Sequence, residues 1–255
     1  MTGKVIVITG ASAGIGAATA RLLVGRGDKV VLAARRETEL NQVAAECGAG
    51  ALAVVTDVTR RSQVEHLRDA AMQAFGQVDV WINNAGRAVT SQVLDLTDDD
   101  FDQMMLINVK SALYGMQAIL PYFKESGRGH LINISSALAR VSFASYRSAY
   151  SAAKAALNSL TANLRMDLHI TYPNIHVSAV MPPMVNTDFA KNALHGTPSG
   201  GYHGGPDVQT PEQTAAAIAA LIDSPRGEIY TDPGQAEMVA GYFADVDAFE
   251  ANLHR

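Results

Sequence analysis

The stretch KVIVITGASAGIG, residues 4–16, decides the fold. Residues 4–9 are almost wholly apolar and β-branched, the pattern of a strand covered on both faces. Gly10, Gly14 and Gly16 follow at a G-x-x-x-G-x-G spacing, and a helical period begins at residue 14. Each glycine has a mechanical task where a strand turns into a helix. One permits the tight turn, one lets the backbone approach a pyrophosphate, and one lets helix pack on strand. The free N–H groups of this turn, around Ser12, Ala13 and Ile15, then face an anion together with the positive end of the helix. Any βα turn can use glycines. The position here, after the first strand and at the opening of the first helix, gives the motif its weight.

Working outward, the same alternation repeats. KVVLAA (29–34), ALAVVT (51–56), VDVWIN (78–83), GHLINIS (129–135), IHVSAVM (175–181) and GEIYT (227–231) read as strands. Helical periods fill 14–26, 37–46, 60–75, 97–124, 148–171, 211–222 and a tail over 234–252. Regular βαβ alternation predicts an α/β fold, a doubly wound parallel sheet of about seven strands with helices on both faces. This is a Rossmann-type arrangement in one domain, 1–255. Residues 188–210 are rich in Gly, Pro and polar residues and too long for an ordinary connection. They read as a substrate loop, the alternative being a disordered surface excursion. Residues 234–255 form a C-terminal helical tail.

Composition narrows the function classes. The 255 residues are 48% hydrophobic and 18% charged, with a net charge of -5 and no basic run. A nucleic acid or an anionic membrane is therefore not expected as a partner. The one cysteine, Cys47, allows neither an intrachain disulfide nor a Cys-based metal cluster. The histidines show no ligand spacing, so no metal site is expected. No apolar run approaches the ~20 residues of a membrane span, and no leader pattern precedes the first strand. The expectation is a soluble, cytoplasmic protein.

The tip of the second strand bears on which dinucleotide would bind. An acid there hydrogen-bonds the ribose hydroxyls and repels a 2′-phosphate. This strand ends VVLAARR, with Arg35 and Arg36 where the acid would stand. Arginine suits bidentate phosphate capture. Arg35, assisted by Arg36, reads as a 2′-phosphate clamp, and the alternative is two solvated surface arginines.

TGASAGIG (9–16), DV (57–58), NNAG (83–86), Asn108 in INV, Ser136 in NISS, YSAAK (150–154) and PPMVNT (182–187) form an ordered set. In that set the chain resembles the short-chain dehydrogenase/reductase family. The resemblance implies that Asp57, with Val58, contacts the adenine. It implies that Asn83 braces the sheet while Asn84, Ala85 and Gly86 lie along the cofactor. Pro182, Val185 and Thr187 match positions around the nicotinamide carboxamide, and Asn108, Ser136, Tyr150 and Lys154 match the family's catalytic four. Tyr150 and Lys154 would also meet the cofactor. A homodimer or homotetramer is implied too, with small faces on the two long helices (Ala152, Ala156, Ala162) suited to an interface.

The chemistry also follows from the residues. Reducing a carbonyl needs a hydride, which the cofactor brings, and a proton, which the protein must bring. A free tyrosine, with a pKa near 10, exchanges protons poorly at neutrality, and a nearby cation lowers that value. One helical turn places Lys154 beside Tyr150. Ser136 can donate to the substrate oxygen as charge develops. Asn108 interrupts a helical pattern, which fits a local irregularity whose freed carbonyl holds a water chain to Lys154. The expected function is NADP(H)-dependent reduction of a ketone or aldehyde to an alcohol, reversibly. Alternatives are an NAD(H)-dependent dehydrogenase of a hydroxylated metabolite and a dinucleotide-binding sensor without turnover.

Two features depart from the family pattern. Pro183 stands where a glycine is usual, which removes a donor beside the nicotinamide. Ser136 and Tyr150 lie one residue further apart than in many members, so the segment between them holds an extra residue. Ala88–Ser91, Leu138–Ala144, Met184 and the 188–210 loop are the expected pocket walls, and they are moderately apolar.

Overall fold

The computed structural model describes residues 3–196 and 208–253. Seven strands form one sheet in the order β3-β2-β1-β4-β5-β6-β7. They are β1 (Val5–Thr9), β2 (Lys29–Ala34), β3 (Ala51–Val55), β4 (Val80–Asn83), β5 (Gly129–Ile134), β6 (Ile175–Met181) and β7 (Glu228–Tyr230). All neighbours pair in parallel. The central strands are buried along their whole length because helices cover both faces.

One face packs against α1 (Gly14–Gly25), α2 (Glu37–Cys47) and α7 (Pro211–Asp223), around Ile6, Ile8, Leu23, Leu32 and Ile218. The other packs against α3 (Arg61–Phe75), α5 (Ser111–Ser126) and α6 (Ser148–Leu168), around Val7, Trp81, Ile119, Phe123 and Leu157. The odd and even residues of β1 thus serve opposite cores. The strand order reverses between β1 and β4, and a crevice opens beyond their carboxyl ends. The glycine turn lies at the end of one and Asn84–Gly86 at the end of the other.

Two predicted helices are broken. The 97–124 pattern is α4 (Asp98–Met105), a π-turn over Leu106–Lys110, and α5. Asn108 sits at the centre of the π-turn, the irregularity its presence foretold. The tail is α8 (Pro233–Ala244) and α9 (Val246–Leu253). Between them Asp245 is extended and its carboxylate accepts from the Ala248 amide at 2.9 Å. An aspartate that caps a new helix stops the old one, and that signal stood in the sequence. Of the predicted loop, 197–207 lies outside the described residues, as do 254–255 of the tail. No described helix is long and apolar enough to cross a membrane.

Candidate active site

The glycine turn is held in shape by neighbours that leave no room for a side chain. Gly10 (φ 68°) and Gly14 (φ 55°) adopt left-handed backbone. A Cβ on Gly16 would lie 2.6 Å from the Gly10 carbonyl and 2.7 Å from Asn84 Nδ2. Asn84 Nδ2 donates to Thr9 O at 2.8 Å and Gly10 O at 3.2 Å. The Thr9 hydroxyl in turn accepts from the Asn84 and Ala85 amides. The ends of β1 and β4 are thereby locked together. Helix α1 follows Ala13, and no side chain caps its start. Its first amides stay available to an anion, and the turn fits the pyrophosphate of a dinucleotide.

The two arginines after β2 occupy different places. Arg36 Nη2 donates to Ser12 Oγ at 3.1 Å and lies 3.5 Å from Glu39, so it leans onto the glycine turn. Arg35 is exposed, and its charge acts on Asp57. Asp57 Oδ1 accepts from the Thr59 amide and hydroxyl at 3.0 and 2.7 Å. Val58 is buried beside it.

Beyond β4, Asn83 braces the sheet. It accepts from Trp81 Nε1 at 2.8 Å and donates to Asn133 Oδ1 at 2.9 Å, and Asn133 donates to Thr161 Oγ1. An asparagine in the middle of the apolar run HLINI was the signal for this buried chain, and it passed unread. Asn108 donates to Arg87 O at 2.9 Å and Met104 O at 3.1 Å, and accepts from the Arg87 amide. Its side chain thus holds the segment after NNAG in place. A Cβ on Gly86 would fall 2.8 Å from Asn108 Oδ1 and 3.5 Å from Lys154 Nζ, so only glycine lets these groups approach.

Tyr150 and Lys154 lie one turn apart on α6 and both are buried. Lys154 Nζ donates to Ile134 O at 2.8 Å and lies 5.7 Å from the Tyr150 ring centre. Burial pushes the Lys154 ammonium down to about 8. Burial pushes the Tyr150 phenol up to about 12, while the Ser136 hydroxyl and then the Arg147 charge pull it back. The Lys154 ammonium thus bonds the β5 carbonyl while standing over the Tyr150 ring, and the Arg147 guanidinium lies over the Tyr146 ring at 5.3 Å. Arg147 was missed, though a lone arginine in the run of small residues RSAYSAAK was visible. The Ser136 hydroxyl accepts from the Leu138 amide at 3.2 Å and, despite the extra residue between them, acts on the Tyr150 phenol.

The wall beyond β6 closes over the turn. Pro182 O accepts from the Ala137 amide at 3.1 Å. Val185 bridges to Gln209, and the Thr187 methyl would lie 3.1 Å from a Cβ on Gly14. The Phe189 ring lies 5.6 Å from that of Tyr150. A cavity of about 560 Å³ is lined by Leu138, Ala139, Ser142, Ala144, Ser148 and Ala152 among others. Its walls do not include Ser136, Tyr150 or Lys154. The predicted walls Ala88–Ser91 and Met184 do not line it either.

His195 pairs with Asp100 at 2.9 Å, tying the loop to the start of α4. His130 is buried against Ser178, and burial, then the charges of His176 and Lys4, push it down to about 3. Among the described residues no cluster of metal-ligating side chains occurs.

A fold of this order, with this turn and this tyrosine–lysine pair at its switch point, defines a dinucleotide-dependent oxidoreductase class, and comparison agrees. The family model described as short chain dehydrogenase matches residues 4–197. An uncharacterized oxidoreductase of Staphylococcus aureus (strain N315) is 40% identical over 188 residues, 73% of this chain and 80% of that protein. A short chain dehydrogenase/reductase from Burkholderia phymatum, solved in complex with NAD, superposes with a TM-score of 0.86 at 28% identity. The match covers 96% of this chain and 95% of that one. A short chain dehydrogenase from Burkholderia cenocepacia J2315, in complex with NADP, gives a TM-score of 0.81 at 29% identity, covering 98% and 97%. The chain belongs to the short-chain dehydrogenase family and is an oxidoreductase of that family.

Proposed function

We propose that the protein is an NADPH-dependent reductase of a ketone or aldehyde that also runs in reverse as an alcohol dehydrogenase. The carrying observation is the convergence of Ser136 and Tyr150, with Lys154 one turn on, beside the glycine turn. The bound dinucleotide would supply the hydride. The uncapped start of α1, with Gly10, Ser12, Ala13, Gly14, Ile15 and Gly16, would hold its pyrophosphate. Asp57, Val58, Asn84, Ala85 and Gly86 would flank the adenosine and ribose, and Pro182, Val185 and Thr187 the nicotinamide end. Ser136 would donate a hydrogen bond to the substrate oxygen. Tyr150 would give its proton to that oxygen and be left as phenolate. Asn108 would act by holding the Arg87 backbone and so Gly86, and Lys154 by its charge and by the ribose hydroxyls.

The absence of an acid after β2, with Arg36 leaning on Ser12 and Arg35 beside Asp57, supports a 2′-phosphate site. An NAD-dependent dehydrogenase is the second reading, since the structural relatives include one solved with NAD. Ala152 and Ala155 are exposed on α6, which supports association of copies along that helix.

A panel of ketones and aldehydes with NADPH and with NADH tests the reading. NADPH should be consumed and NADH consumed far more slowly. Tyr150→Phe should bind NADPH as before but lose about a thousandfold or more in kcat. Near-normal turnover in that variant would sink the mechanism.

A further inference from the structure

The segment after β6 opens with Pro182 and Pro183, two residues with no amide to donate. It bridges the two ends of the candidate site. At one end Pro182 O accepts from the Ala137 amide at 3.1 Å, next to Ser136. At the other, the Thr187 methyl would lie 3.1 Å from a Cβ on Gly14 of the glycine turn. A dinucleotide reaching from that turn to Ser136 would run along residues 184–187. The prolines give this segment no donor with which to pair, so its position depends on support from elsewhere.

Gln209 supplies it. The Gln209 amide donates to Met184 O at 3.2 Å, and Gln209 O accepts from the Asn186 amide at 2.9 Å. These two bonds flank Val185 and form the parallel bridge between Val185 and Gln209. In a parallel bridge of this kind the groups on either side of the middle residue face the partner, and its own N–H and C=O face the opposite edge. Val185 O takes the Thr187 hydroxyl at 3.4 Å, and among the described residues nothing accepts from the Val185 amide. One edge of 184–186 is thus held by Gln209, and the other presents a donor and an acceptor side by side.

The side chain of Gln209 fixes its backbone in turn. Its Oε1 accepts from Thr214 Oγ1 at 3.0 Å and from Thr231 Oγ1 at 2.6 Å, and its Nε2 donates to Thr231 O at 3.0 Å. Both acceptor positions of the amide carbonyl are filled. A glutamate there would set a carboxylate oxygen against the Thr231 carbonyl with no proton to give. Thr214 is a buried residue near the start of α7. Thr231 follows β7, and its amide donates to Met181 O at the end of β6 at 3.4 Å. Through one amide group the segment is tied to α7 and to the carboxyl ends of β6 and β7.

We propose that Gln209 is a positioning residue for the cofactor: it holds 184–186 along one edge, so that the Val185 amide and carbonyl meet the nicotinamide carboxamide. This role rests on the reading that Val185 and Thr187 flank the nicotinamide end, and its test needs no turnover. Calorimetric titration of the full-length protein compares NADPH with 2′-phospho-ADP-ribose, which lacks only the nicotinamide, and NADH with ADP-ribose. The wild type should bind the complete dinucleotide more tightly than its fragment. Equal affinities within both pairs overturn the nicotinamide-end reading and the role of Gln209 with it. Gln209→Met, similar in length but without the amide, should weaken the dinucleotide about tenfold and the fragment less than about twofold. Thr231→Val should weaken the dinucleotide about threefold, and Thr231→Ser, which keeps the hydroxyl, should stay within about a factor of two of wild type. Exchange of the Asn186 amide, measured without ligand, should quicken in Gln209→Met. With a wild type that does favour the complete dinucleotide, equal loss of both ligands in Gln209→Met overturns the positioning role alone, as do unchanged affinities. If Gln209→Met does not fold, Thr231→Val carries the same comparison, and equal loss there overturns the role in the same way.

Discussion

Burial moves Tyr150 and Lys154 of α6 in opposite senses, and each leaves a mark on stability. The folded Lys154 titrates near 8, below the ordinary 10.5. Between those values the unfolded chain still holds a proton that the folded chain has released, so stability rises with pH across that window. Tyr150 titrates near 12 against an ordinary 10.0. There the unfolded chain releases its proton first, and stability falls as pH rises from about 10 to about 12. Urea unfolding of wild type and Lys154→Met at about pH 7.5 and about pH 10 isolates the lysine. The wild type should gain about 2 kcal/mol on the variant between the two, and an unchanged difference would contradict a buried ammonium. Tyrosine and lysine four apart were legible as a pair in YSAAK. The partners of each were not, because Ile134 and Ser136 reach them only through packing.

The strand-to-helix turn and the π-turn show what spacing can and cannot say about an element. Three glycines at 10, 14 and 16 announced a turn that an anion can approach. Why Gly16 tolerates no side chain depends on Asn84, more than sixty residues away. Gly16→Ala should force Gly10 and Asn84 apart. It should weaken dinucleotide binding at least tenfold and destabilise the fold by about 1–3 kcal/mol. Binding by nicotinamide fluorescence, alongside thermal unfolding, checks both. Unimpaired binding would mean that the turn relaxes without Asn84. Asn108 marked an irregularity in a helical pattern, and the π-turn is there. That its amide would grip the Arg87 backbone was not legible, since the contact joins elements that the sequence keeps apart. The tail break at Asp245 was legible as a cap and was read instead as a continuous amphipathic stretch.

At the scale of the molecule, the proposed 2′-phosphate clamp draws on groups that meet only when the sheet is assembled. Arg35 and Arg36 follow β2, Ser12 follows β1 and Asp57 follows β3, and these three strands are adjacent. Arg35→Ala and Arg36→Ala should each weaken NADPH binding about tenfold or more while leaving NADH binding within a factor of about two. Titration with both dinucleotides checks this, and equal loss for both would refute a 2′-phosphate clamp. The sequence by itself determined the strand and helix alternation, the parallel sheet and the family. These follow from local period and from glycines whose backbone freedom is a property of the residue. It also offered Ser136, Tyr150 and Lys154 as candidate catalytic groups. Only the tertiary structure decided what surrounds the tyrosine: Lys154 bonded to a β5 carbonyl with its ammonium over the ring, and Arg147 buried against the 88–91 wall. Charge and hydrogen-bond partnerships between distant segments depend on distances of a few ångströms, and a linear order of residues does not carry them.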